Sequence, residues 1–538
     1  MKKLLYNLII LSIFTLTACE NGLDEIVYSD LLESNYVYSK NEAYNVIGPV
    51  YSNMRSLYGS TVCWWMIQEC SADLNVRPAN STGWDNAGLW RRFMQHSWTS
   101  IEWQLDDTWS PLYKGAINAT RIISQFEEDK IPIPSGESKE SFIAEMRVAR
   151  AFYNWLILDD FGDAPLVKDA STELPSKTPR ATMYQFVVDE IKAALPNLSE
   201  DNSSKMYGRF NKWAAKALLA NIYLNAAVYT GQPQWEACIT ECNDIINSTK
   251  YILESDFRTN FLTNNEISKE NIFVIPYDEI YATGNNIQNF SLHASSKATY
   301  KLESSPWGAG GFCGNPQFLD TFDPSDKRFV YTYLIGPQYA ADGVTPVLCA
   351  YEKKGEPLVY TKELPNGIFV GENEGARIQK FEYKIGAKNS LSNDFPFFRY
   401  AQVLMMKAEC LLRTGQKNQA AEIVTQVRQR AFLDAPEKAV VTGDQLEENS
   451  AYHYGYVENY IIVDQGDTSP IQFGRFLDEL GWEFSCEATR RRDLIRFGIF
   501  TKKSWLSHRP NGDYRTVFPL IQGAIDSNPN LEQNPNYQ

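Results

Sequence analysis

The chain has 538 residues, 13 % of them aromatic, and 51 Lys+Arg against 66 Asp+Glu give a formal charge of −15. That balance argues against a nucleic-acid binder, which draws its affinity from a basic surface, while the length is ample for a large buried core. Nine cysteines with no CxxC spacing argue against a zinc ribbon or a redox dithiol. Spacing does not decide whether Cys63 and Cys70 pair.

Two lysines, an apolar run and then small residues over 1–18 make a secretory signal peptide, too short for a spanning helix. Leu16-Thr17-Ala18-Cys19 is similar to a bacterial lipobox, which implies cleavage before Cys19 and lipidation of its thiol. Residues 19–35 then form a lipidated N-terminus and an acidic tether. Apolar residues at helical spacing predict a helix over 41–57, and a Trp/Gly/Asn-rich stretch to about Trp98 reads as loop with short pieces. Further helices are expected over 105–126, over 138–161 (ended by Gly162 and Pro165), and over 182–195 with Thr182 as N-cap. Residues 211–227 are apolar nearly all round and 235–246 carry one apolar stripe, so a buried helix and an amphipathic one flank the turn at Gly231. That helix–turn–helix recurs at the same length over 400–433, the length of a tetratricopeptide unit. Between 251 and 395 the helical period disappears, which predicts an ordered irregular lobe with short strands. Residues 436–470 are a second irregular segment, and 473–500 read as the last helix.

The fold class is therefore mainly α. Tetratricopeptide-like helix pairs form a scaffold (about 36–250, 395–435 and 473–500) in which a large irregular loop and short-strand lobe (about 251–395) is inserted, all within one domain, 36–538.

Six motifs in order carry a resemblance to a known family. They are Glu145-Met146-Arg147-Val148-Ala149-Arg150-Ala151-Phe152-Tyr153 running into Phe161-Gly162-Asp163-Ala164-Pro165-Leu166, Pro179-Arg180-Ala181-Thr182, residues 208–220, residues 398–409, residues 490–498, and Phe518-Pro519-Leu520-Ile521 with residues 528–537. Together, behind the lipobox, they resemble the SusD/RagB family of outer-membrane nutrient-binding lipoproteins. One departure is Ala488-Thr489-Arg490-Arg491-Arg492, where the family often has His-Arg-Trp; the position reads as structural. The resemblance implies a SusD-like fold and a lipid-anchored, surface-exposed protein of the cell outer membrane. It also implies a SusC-like TonB-dependent transporter as partner and an oligosaccharide or polysaccharide ligand, with no catalytic step and no cofactor. Peptide capture on the same scaffold and a purely protein-binding role are the alternatives.

The residues themselves support binding over catalysis. No G-x-S-x-G, H-E-x-x-H or phosphate-loop motif is present, and the four histidines are far apart. Asp106-Asp107 and Asp159-Asp160 are adjacent on helices, cannot face each other across a scissile bond, and read as solvated or capping residues. Asp464-Gln465-Gly466-Asp467 reads as an ordinary turn before a calcium loop. A sugar offers a face of C–H groups to an aromatic ring and an edge of hydroxyls to polar side chains. The loop 73–86 has both kinds, with Trp84 first, Arg77 second, and Asp73 and Asn86 beside them. A second cluster in the lobe comprises Tyr281, His293, Tyr300 and Trp307, with Tyr277 nearby; for each aromatic, packing in the core is the competing reading. Trp64, Trp65, Trp98, Trp103 and Trp109, beside helical periods, are assigned to the core. Gly308 to Gly311 lack the strand–turn–helix context of a phosphate loop.

Overall fold

The computed structural model describes residues 39, 42–61, 63–83, 85–171 and 173–537, so the signal peptide, Cys19 and Trp84 lie outside the described residues. Helix α1 (Ala43–Ser52) runs into a 3₁₀ turn ending at Leu57. The Trp-rich stretch is not all loop: it forms α2 (Trp64–Cys70) and α3 (Leu89–Met94). Every residue of α2 is buried, so it carries no amphipathic period to read. The strands β1 (Asn75–Val76) and β2 (Ala79–Asn80) lie between them.

The long scaffold helices follow. They are α4 (Trp103–Glu127), α5 (Lys139–Phe161), α6 (Arg180–Ala194), α7 (Lys212–Leu224), α8 (Ala226–Thr230) and α9 (Trp235–Asn247). Their ends are set by local chemistry. Ser138 Oγ accepts the Ser141 N–H at 3.0 Å, and Asn211 Oδ1 accepts those of Trp213 and Ala214 at 3.1 and 2.9 Å. Helix α5 stops at Gly162, whose φ of 70° is left-handed. Helix α6 begins before Thr182, which is not its cap. Asp163, from the preceding turn, accepts the Arg180 N–H at 2.8 Å instead.

The lobe leaves after α9 through β3 (Asn271–Ile275). It holds short helices, α10 (Ile287–Ser291), α11 (Lys297–Tyr300), α12 (Pro316–Leu319) and α13 (Lys327–Thr332). Its strands are β4 (Cys313–Gly314), β5 (Tyr333–Leu334), β6 (Gly336–Pro337), β7 (Val359–Tyr360), β8 (Phe369–Val370) and β9 (Arg377–Ile378). It returns through β10 (Phe395–Arg399), which pairs antiparallel with β3, so the lobe begins and ends on one buried ribbon. The scaffold then resumes with α14 (Tyr400–Arg413) and α15 (Lys417–Arg428). Helix α9 packs on both α7 and α14, so the two predicted helix pairs are neighbours and the stack continues across the insertion.

After α16 (Gly443–Glu447) comes a sheet of order β12–β11–β13, made by β11 (Gly455–Glu458), β12 (Ile461–Asp464) and β13 (Trp505–Leu506). The expected single helix over 473–500 is two, α17 (Gly474–Phe484) and α18 (Arg490–Arg496). Between them Cys486 and Ala488 are left-handed, with φ of 67° and 57°. Remote partners take the backbone groups there: Trp65 donates to the Cys486 carbonyl at 3.0 Å and Glu69 accepts the Ala488 N–H at 2.8 Å.

Other expectations are corrected by burial. Asp159 and Asp160 are not solvated: they lie in the core facing Arg492 and Arg491 at 3.7 and 3.6 Å. Trp103 is 46 % exposed, whereas Trp64, Trp65, Trp98 and Trp109 are buried. All eight described cysteines are free and buried, so Cys63 and Cys70 are not paired. A buried ionic lattice joins the scaffold to the lobe's return. Arg399, Arg430 and Arg328 converge on Glu483, while Glu270, Glu479, Glu487 and Lys380 extend it. No helix among the described residues is long and apolar enough to cross a membrane.

Candidate functional site

Strand pairing and close packing bring residues 80–82 against 308–310. β1 pairs antiparallel with β4 and β2 pairs parallel with β8. Asn80 Nδ2 donates to the Gly310 carbonyl, and Thr82 lies so close to Gly308 that a Cβ there would sit 2.8 Å from its Oγ1. The glycines therefore serve close packing. A Cβ on Gly310 would meet the carbonyl oxygens of Ser291 and Leu292 at 2.5 Å.

Trp307 rides on this segment. Its N–H donates to the Asn289 carbonyl at the end of α10 at 2.7 Å, the neighbouring Pro306 is buried, and the residue keeps 42 % of its surface exposed. Asn86, half-buried, opens three successive left-handed residues, Asn86, Ala87 and Gly88, with φ of 45°, 52° and 75°. Such strain persists only where the surroundings impose it. Here Arg92 donates to the Ala87 carbonyl at 2.6 Å while its guanidinium is pinned by Glu102, and Arg91 faces Asp85 at 3.5 Å. Tyr281 is 88 % exposed on a rigid turn, where the Asp278 carboxylate accepts the N–H groups of Ile280 and Tyr281 at 2.8 and 2.7 Å.

The remaining predicted residues do not reach this surface. Asp73 is fully buried, gripped by Arg490 at 2.7 and 2.9 Å and by the Tyr454 hydroxyl at 2.8 Å, so it ties the loop to α18. Arg77 is buried beneath the loops with its guanidinium over the Phe290 ring at 5.1 Å. His293 is fully buried. Its Nδ1 accepts the Ser295 N–H at 3.1 Å, which leaves Nε2–H to donate to Glu372 at 3.1 Å. Burial lowers its pKa below the ordinary value, and Glu372 only partly offsets this. Glu372 also accepts three N–H groups of the 350–353 loop, so His293 is part of a lobe clasp. Tyr300 is half-buried, edge-on to Tyr383 at 5.5 Å, and lines a separate cleft of about 260 Å³. Tyr277, the other lobe tyrosine, is buried with its hydroxyl donating to backbone carbonyls.

Sequence reasoning missed Phe369, 45 % exposed on β8 directly opposite Ala79. The sequence held no signal for it, because Ile368-Phe369-Val370 is apolar throughout and only the structure turns Phe369 outward with Val370 buried. Among the described residues no three His, Cys, Asp or Glu side chains are grouped to hold a metal. Asp464 and Asp467 instead cap turns, accepting the Gly466 and Ser469 N–H groups at 3.0 and 2.8 Å. Trp307, Phe369 and Tyr281 keep exposed aromatic surface, suited to stacking.

The model of the SusD family matches residues 269–537, and a model described as starch-binding, associating with the outer membrane, matches 64–224. SusD-like protein P25 of Formosa agariphila is 23 % identical, with 96 % of each chain covered. The starch-binding protein SusD of Bacteroides thetaiotaomicron is 24 % identical over 73 % of this chain and 72 % of its own. The fold is shared with surface glycan-binding protein A of Bacteroides thetaiotaomicron in complex with laminarihexaose. Its TM-score is 0.67 at 16 % identity, covering 92 % of this chain and 99 % of that one. The chain belongs to the SusD family.

Proposed function

We propose that the mature protein is a lipid-anchored glycan-binding protein of the outer-membrane surface. It captures oligosaccharide or polysaccharide without catalysis and passes it to a TonB-dependent transporter. Family membership, the starch-binding description of the second matching model, the starch-binding name of one relative and the laminarihexaose complex of a similar fold support this reading. The observation that carries it is Trp307, a half-exposed indole on a backbone held immobile by close packing against Thr82 and α10. An aromatic face of this kind stacks on the C–H face of a sugar ring, and a ring already ordered loses little entropy on binding. Trp84, Asn86 and Tyr281 complete the proposed contact set, while Asp73, Arg77 and His293 support it from behind.

The test is calorimetry with a panel of neutral hexaoses, including laminarihexaose and maltohexaose. Trp307→Ala is expected to weaken binding about tenfold, the 1.4 kcal/mol that one stacked ring supplies, with an unchanged Tm. Unaltered affinity in Trp307→Ala, or a blank glycan panel beside peptides that bind, would sink the proposal.

A further inference from the structure

A second cleft, of about 390 Å³, opens between the β11–β12 hairpin, the 465–471 loop and residues 449–454, and no residue of the Trp307 segment lines it. Its size falls in the range of small-ligand sites, about 300–1,000 Å³. We propose that this cleft is a second carbohydrate site, taking a short stretch of neutral sugar.

The floor is Tyr454. Its ring stacks on Tyr452 at 4.2 Å and 21°, and its hydroxyl donates to Asp73 at 2.8 Å, so the half-buried ring cannot swing aside. That is a preorganised platform for a sugar face. The rim is polar and mixed. Asn449 accepts the Ile471 N–H at 2.8 Å through Oδ1, which orients its amide and leaves the NH₂ to donate. Gln465, Thr468 and His453 are exposed and offer both donors and acceptors.

Charge decides the ligand class. The two charged groups in the lining, Asp467 and Lys503, are of opposite sign. Lys503 is 4 % exposed and its ammonium is committed to the carbonyls of Asp467 and Ser469 at 2.8 and 2.5 Å. An ionic ligand finds no unspent counter-charge, whereas a polyol finds partners for its hydroxyls. Ile462 supplies the apolar wall. It is admitted because residue 455 is glycine, where a Cβ would come within 2.4 Å of Ile462 Cγ2. The carbohydrate assignment rests on the proposed glycan function. A second attachment point on one chain would raise retention of long polymers more than of short ones.

His453 provides a direct reporter, because His96, His293 and His508 are fully buried and it alone of the four is exposed. Protein labelled at histidine Cε1 is titrated with laminarihexaose, maltohexaose and a uronate-containing oligosaccharide, as wild type and as Trp307→Ala. A neutral hexaose is expected to shift the His453 signal saturably in both forms, and Asn449→Ala/Gln465→Ala is expected to abolish the shift. That variant should also weaken retention of the parent polymer about fivefold. A hexaose whose binding Trp307→Ala weakens while His453 never moves overturns this inference and leaves the proposed function standing. Preference for the uronate overturns the neutral class, and a panel that binds nowhere overturns both readings.

Discussion

His96 and His508 lie with ring centroids 4.0 Å apart, both fully buried, against Phe500 and Trp505. Burial holds the His508 imidazole down at about 3, and His96 is lowered by burial and then by His508 itself. The unfolded chain binds protons that the folded chain refuses once the pH drops below about 6.5. Their stabilisation is complete above that pH and is lost as the pH falls toward 3. Glu69, pushed up to about 7 by burial, acts in the opposite sense. Its contribution is complete below 4.5 and is lost as the pH rises through 7. His508→Phe is expected to remove about 2–3 kcal/mol of the acid-side loss between pH 6.5 and 4.5. Urea unfolding at a series of pH values measures this, and parallel curves for variant and wild type would refute it. At this scale the sequence shows side-chain type but not burial. Trp307 and Arg77 carried similar cues, a ring or a guanidinium in an aperiodic loop. Only packing put the indole at the surface and buried the guanidinium over the Phe290 ring.

Helix α17 is buried from Phe476 to Phe484, its acidic residues included. Glu483 accepts from Arg399 at 2.8 Å, Arg430 at 2.6 Å and Arg328 at 3.3 Å. Burial would raise its pKa, but the three arginines hold its carboxyl well below the usual range. Glu483→Ala leaves buried guanidiniums without their carboxylate and is expected to cost about 3–5 kcal/mol. A Tm within 2 °C of wild type in a thermal melt would contradict that role. The long helices α4, α5, α7, α9, α14 and α15 were legible because stripes, caps and turn glycines are local signals. Helix α2 and the break at 485–489 were not. In α2 every position is buried, and at the break the backbone is held by Trp65 and Glu69, hundreds of residues away in sequence.

For the whole molecule, the proposed function puts the anchor at Cys19 and the binding surface in the folded domain, so the two should be separable. Cys19→Ala is expected to move the protein from the membrane fraction to the soluble fraction and to reduce glycan uptake by cells, while hexaose affinity in solution stays unchanged. Lost affinity in the purified variant would show that anchor and site are not independent. The sequence by itself determined a mainly helical chain of the SusD family, because helical periods and family motifs are written in contiguous residues. Only the tertiary structure decided which polar and aromatic residues face solvent. It paired 75–80 with 313–314 and 369–370, which brought residues 80–82 against 308–310, more than 200 residues away, and it buried Asp73, Arg77 and His293. Strand register and burial arise from contacts between distant segments, and no local spacing encodes them.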